Sequence, residues 1–143
     1  TLFRSLETLS VRYERHSSSC LELAKRLKTL PGIKSVNYTG LEDNVWYEVS
    51  KSQFGDYPGA MLTFDLESKE ACFRFMNRLQ IIHRATNLFD NKSLIIHPAS
   101  TIYGTFTSEQ RSDMGIKETT LRLSVGLESV DSLFYEIRQA LEE

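Results

Sequence analysis

Thr119-Thr120-Leu121-Arg122-Leu123-Ser124-Val125-Gly126-Leu127-Glu128 is the run from which the fold can be read. Leu121, Leu123 and Val125 alternate with Arg122 and Ser124, a period of two that predicts a β-strand with one apolar and one polar face. Gly126 ends the strand, and a helical pattern begins almost at once. Val130, Leu133, Phe134, Ile137 and Leu141 fall on one face of that helix, with Ser129 placed to cap it. Arg122 is the unusual member of the strand. Its planar, permanently charged guanidinium matches a carboxylate or phosphate. On alternation alone, the ordinary outcome is an edge strand with a solvated arginine.

Upstream, the same periodicities recur. Leu2, Leu6, Leu9, Tyr13, His16, Cys20, Leu23, Leu27 and Leu30 step alternately by four and three, predicting one long helix over residues 2–30 that Pro31-Gly32 stops. The pattern is already running at Thr1 with no capping residue before it, so more chain is expected upstream. His16 lies on the stripe and reads as a core histidine. A short strand is expected over 33–38 and a short helix over 44–53 with Val45, Trp46 and Val49 inward. Residues 60–66 alternate again, with Leu62 and Phe64 on one face and Met61, Thr63 and Asp65 on the other. Ser68 can cap a helix that buries Cys72, Phe75, Met76 and Leu79. Residues 85–89 and 93–96 are short apolar runs, and Thr107 with Gln110 forms a capping box closed at Gly115. Strands and helices mixed at this spacing predict an α+β fold: a small, four-stranded, mostly antiparallel sheet with helices on one face, preceded by the long N-terminal helix.

Composition narrows the function classes. The 143 residues are 41% hydrophobic and 25% charged, enough for one domain with a core and unlike a disordered or coiled-coil chain. A net charge of −2 gives no basic field for nucleic acid or anionic lipid. No apolar run approaches the length of a membrane span. Cys20 and Cys72 have no metal spacing and read as small core residues, which suits a reducing cytoplasm. No metal-ligand cluster or paired carboxylate stands out.

Two motifs carry a resemblance. Leu121-Arg122-Leu123-Ser124-Val125-Gly126-Leu127-Glu128 and, upstream of it, Ser93-Leu94-Ile95-Ile96-His97-Pro98-Ala99-Ser100 are similar to the C-terminal part of the pyridoxal-phosphate (PLP) enzymes of cysteine and methionine metabolism. These are the cystathionine synthases and lyases, methionine γ-lyase and O-acetylhomoserine sulfhydrylase. Leu6-Glu7-Thr8-Leu9, Asn37-Tyr38 and Gly40-Leu41 extend the likeness over nearly the whole chain.

The resemblance implies that residues 1–143 form the substrate-side C-terminal domain, about the last third of a larger enzyme. It implies that Arg122 grips the α-carboxylate of the amino-acid substrate and that Asn87 also contacts it. Lyases usually have serine at the Asn87 position and sulfhydrylases asparagine, which points to O-acylated homoserine and γ-replacement. Cystathionine or methionine γ-lyase is the alternative. His97 and Ser124 are expected to be structural residues near the site. The chain departs from the family at Phe89, where many members have glycine, and at Thr101-Ile102-Tyr103, where many have a histidine.

The resemblance also implies that the cofactor is PLP, carried by a separate large domain of a homo-oligomeric, cytoplasmic enzyme. The cofactor lysine of the family follows a serine by three residues. None of Lys25, Lys28, Lys34, Lys51, Lys69, Lys92 and Lys117 has serine or threonine at that distance. This chain is therefore expected neither to bind the cofactor covalently nor to be active alone. The residue patterns by themselves leave open a second reading, a stand-alone α+β regulatory module that binds amino acids.

Overall fold

Alternation at 60–66 and 119–125 places two strands side by side at the centre of the sheet. The computed structural model describes residues 2–142, and for Leu2 the backbone alone. β2 (Met61–Asp65) and β5 (Thr120–Ser124) pair antiparallel, with Thr63 opposite Arg122 and Phe64 opposite Leu121. The ladder is prolonged at both ends, by Leu66 N–H to Thr119 C=O at 2.9 Å and Val125 N–H to Ala60 C=O at 2.8 Å. β1 (Ser35–Asn37) adds outside β2. β4 (Leu94–Ile96) adds antiparallel on the other side of β5, with Ile96 opposite Arg122. Arg122 therefore stands on a central strand, not on the edge that alternation alone suggested.

The sheet has five strands where four were expected, in the order β1-β2-β5-β4-β3. The fifth, β3 (His83–Arg84), is two polar residues long, too short to show any period, and pairs parallel with β4. The apolar run 85–89 is not a strand. It lies in the loop between β3 and β4, which must return to the end where β3 began.

Leu62, Phe64, Leu121, Leu123, Val125 and Ile95 point to one side. There they meet α2 (Leu9–Leu27), α4 (Lys69–Arg78) and α6 (Val130–Glu142). This is the expected helix-covered face. Leu23, Leu27, Phe75, Leu133 and Ile137 are almost wholly removed from solvent, each contributing roughly 1.5–3 kcal/mol of transfer free energy. Phe64 and Phe75 meet edge-on at 5.7 Å. Cys20 and Cys72 are free and buried in this core, where burial pushes the Cys20 thiol pKa well up and that of Cys72 to about 11.

Two helical expectations change. The N-terminal helix breaks at Thr8 into α1 (Leu2–Glu7) and α2, because Thr8 leaves helical geometry (φ −102°, ψ 7°). The apolar stripe is buried from His16 onward, but Leu6 and Leu9 are exposed. The place of Leu2 on it lies outside the described residues. The helix expected over 44–53 is α3 (Tyr47–Phe54), and Val45, Trp46 and Val49 do not point inward. Val45 is 89% and Trp46 62% exposed. The Asn44 side chain accepts the Trp46 N–H at 2.9 Å, a local turn that delays the helix past both residues. The 107–110 capping box forms as expected and starts α5 (Ser108–Asp113).

Candidate substrate-carboxylate site

The face of the sheet opposite the helices is where the polar strand residues emerge. Ser35 and Asn37 of β1, Thr63 and Asp65 of β2, and Thr120 and Arg122 of β5 form the floor of a groove of about 470 Å³. After β4 the chain turns through a short 3-10 helix (Pro98–Ser100) and runs on to Lys117. Pro98, Ile102, Tyr103 and Ile116 from this excursion wall the groove. Arg122 is half-buried between Thr63 and Ile96. Among the described residues its guanidinium has no hydrogen bond and no ion pair.

A carboxylate stands close by and does not quench it. Asp65 is diagonal to Arg122 across the β2–β5 ladder and 8% exposed. Its carboxylate accepts from Lys117 Nζ at 2.7 Å, Thr120 Oγ1 at 2.5 Å and Ser35 Oγ at 2.9 Å. Burial raises the Asp65 pKa, but the hydrogen bonds from Lys117, Thr120 and Ser35 outweigh burial and hold it below the usual carboxylate range. Asp65 is thus saturated by groups other than Arg122. Sequence reasoning had put Asp65 on the polar face of its strand without giving it a part in the site. The register that joins it to Thr120 and Lys117 is a tertiary fact.

Ser124, two residues on from Arg122 and 1% exposed, accepts the Phe89 N–H at 3.3 Å. That bond draws the 85–91 loop to the end of β5. Asn87, in the same loop, is exposed. Its Nδ2 donates to Asp90 Oδ2 at 3.2 Å, and it does not line the groove that Arg122 enters. The structure therefore joins the Asn87 turn to the Arg122 strand through Phe89 and Ser124, not through Asn87 itself.

His97 is 1% exposed. Its Nε2 lies 2.8 Å from the Glu118 carbonyl, which can only accept, so Nε2 carries the proton and Nδ1 accepts from Ser100 Oγ at 2.8 Å. With both ring nitrogens occupied, His97 ties the turn after β4 to the strand entering Arg122. Among the described residues, no three His, Cys, Asp or Glu side chains gather to hold a metal ion. Among the described residues, no helix is long and apolar enough to cross a membrane.

Arg122 thus stands on a central strand, without an ion-pair partner among the described residues, in a groove that Pro98, Ile102, Tyr103 and Ile116 wall. The chain belongs to the Cys/Met metabolism PLP-dependent enzyme family, whose model matches residues 1–142. It is 39% identical over 142 residues to L-methionine gamma-lyase of Pseudomonas putida, covering 99% of this chain and 35% of that enzyme. It is 41% identical over 137 residues to O-acetyl-L-homoserine sulfhydrylase 1 of Thermus thermophilus, covering 95% of this chain and 32% of that one. The chain thus spans about a third of the length of these relatives. Its fold superposes on a putative O-acetylhomoserine (thiol)-lyase of Campylobacter jejuni with a TM-score of 0.95 at 38% identity, over 99% of this chain and 34% of that one. The structure of that neighbour contains a pyridoxyl-lysine phosphate residue.

Proposed function

We propose that residues 1–143 are the C-terminal, substrate-side domain of a PLP-dependent enzyme that performs γ-replacement on an O-acylated homoserine. In this reading Arg122 is the carboxylate clamp, and Asn87, which lies outside the groove itself, is an auxiliary contact from the turn that Phe89 and Ser124 join to the Arg122 strand. The observation that supports it is the half-buried Arg122 guanidinium, unpaired among the described residues while the neighbouring Asp65 is fully engaged elsewhere. A substrate α-carboxylate can take both outer N–H groups of the guanidinium, which fixes its orientation as well as its position. Asparagine at position 87 favours replacement over the γ-lyase alternative. The enzyme would be a cytoplasmic homo-oligomer.

PLP supplies the electron sink when it is bound. The residues of this chain do not fit that group. A Schiff-base lysine needs a desolvated amine in a pocket. Six of the seven lysines here are exposed, and Lys69 is half-buried and paired with Glu118 at 3.0 Å. The cofactor therefore belongs to the remainder of the parent enzyme. This chain contributes orientation and a dry wall.

Steady-state kinetics of the full-length parent test the reading. Arg122→Ala should cost about 2–5 kcal/mol in kcat/KM for the amino-acid substrate, as loss of one partner of a desolvated charge pair does. Arg122→Lys should recover only part, having charge without the fork. A change within about twofold for Arg122→Ala would make Arg122 a solvated strand residue and refute the proposal.

A further inference from the structure

Asn87 is exposed, so burial does not hold it in place; its turn must. The turn is held from three directions. Within it, the Asp90 carboxylate accepts from Asn87 Nδ2 at 3.2 Å and from the Lys92 N–H at 3.1 Å. Toward the sheet, Phe89 N–H reaches Ser124 Oγ at 3.3 Å and Leu127 N–H reaches the Asn91 carbonyl at 2.9 Å. Toward the helices, His16 of α2 places Nε2 3.0 Å from the Asp90 carbonyl, and its ring lies 4.5 Å from the ring of Phe89.

Phe89 has φ 56°, in the left-handed region that a residue with a side chain adopts only under constraint. Its ring is gripped by His16, by Tyr13 at 5.8 Å and by the Arg12 guanidinium at 5.6 Å. His16 is fully buried, and both its nitrogens face carbonyls, Asp90 at 3.0 Å and Arg12 at 3.2 Å. Both carbonyls can only accept, and the tautomer with its proton on Nε2 donates to the Asp90 carbonyl. A leucine would fill the same volume. What histidine adds is an N–H aimed at the backbone of the turn, 74 residues away in sequence.

We propose that His16 and Phe89 form a clamp that presets the Asn87–Asp90 turn against the Ser124 end of the Arg122 strand, making His16 a positioning residue for the amino-acid site. The inference rests on the carboxylate-site reading above. With the turn fixed beforehand, substrate binding does not have to order it.

The test uses the full-length, PLP-loaded parent, with amide exchange over 85–92 measured without substrate and kcat and KM measured with it. His16→Leu should speed exchange over 85–92 and raise KM about three- to tenfold, the worth of one net hydrogen bond, with kcat nearly unchanged. His16→Gln, whose amide can donate to the same carbonyl, should recover most of both. Phe89→Gly should also speed exchange, although glycine suits φ 56° better, because the grip on the ring is lost. Unchanged exchange in His16→Leu overturns the clamp, and so does a Gln variant no better than Leu. Faster exchange with unchanged KM overturns its positioning role. Arg122→Ala, run alongside, separates the cases. If its KM is also unchanged, the carboxylate reading has failed, and with it the role assigned to His16.

Discussion

Gly126 and His16 show single residues answering to neighbours far off in sequence. A Cβ on Gly126 would lie 2.5 Å from the Lys92 carbonyl carbon and 2.6 Å from the Ser93 amide nitrogen, both backbone atoms. The approach is close because Gly126 N–H donates to Ser93 Oγ at 2.9 Å, while the Glu128 carboxylate accepts from Ser93 N–H and Oγ at 2.8 Å. Gly126→Ala should therefore cost about 1–3 kcal/mol by overpacking, read as a lower urea midpoint at unchanged slope. The motif marked Gly126 only as the end of a strand. For His16, burial and then the Arg12 guanidinium push the pKa below its usual value, with Glu128 opposing them weakly. The native state thus holds His16 neutral while the unfolded chain takes up a proton below about pH 6.5. Stability from this group is complete above that pH and falls as pH drops toward the native pKa, by at most about 1.4 kcal/mol per pH unit. Urea unfolding at about pH 7.5 and 5.5 should show this slope in wild type and a shallower one in His16→Gln.

Among the elements, α6 illustrates an anchor that periodicity does not show. Its apolar face over Val130, Leu133 and Ile137 is legible at 3.6 residues per turn. Glu136 interrupts that face, yet is 9% exposed. Its carboxylate accepts the backbone N–H groups of Gln80, Ile81 and Ile82, where the chain leaves α4 for β3. The contact locks α6 to that junction. Glu136→Ala leaves the buried Ile82 N–H without its acceptor and gives the more exposed Gln80 and Ile81 N–H groups back to water, and should cost about 1–3 kcal/mol, the worth of one deserted buried group. Thermal unfolding should show a Tm several degrees lower, with Glu136→Gln intermediate. By contrast, α5 is held by a cap that could be read in advance, because Thr107 and Gln110 interact three residues apart. Local chemistry of that kind survives without tertiary support, whereas the apolar side chains at 45, 46 and 49 had no neighbour to turn toward.

For the whole molecule, the exposed lysines make a direct prediction. Mixed with PLP, the isolated chain should show no visible band of a stable lysine–cofactor adduct that amino acids reverse, because no lysine amine here is buried. Absorbance before and after adding substrate amino acid checks it, and a stable, reversible band would assign this chain a cofactor site of its own. Val45, Trp46, Val49 and Phe54 are all exposed, so these four side chains take no part in the core.

The sequence by itself determined the helix-covered face, the strands at 60–66 and 119–125, and the family motifs carrying Arg122, because each depends on a period or a spacing within one segment. Tertiary structure decided the strand order, the parallel β3–β4 pair, the engagement of Asp65 and the seat of the Asn87 turn. Those depend on groups from distant segments meeting: Asp65 with Lys117 and Thr120, Phe89 with Ser124 and His16. A hydrogen bond between residues 74 apart leaves no periodic trace in either segment, and only the packed sheet brings its donor to its acceptor.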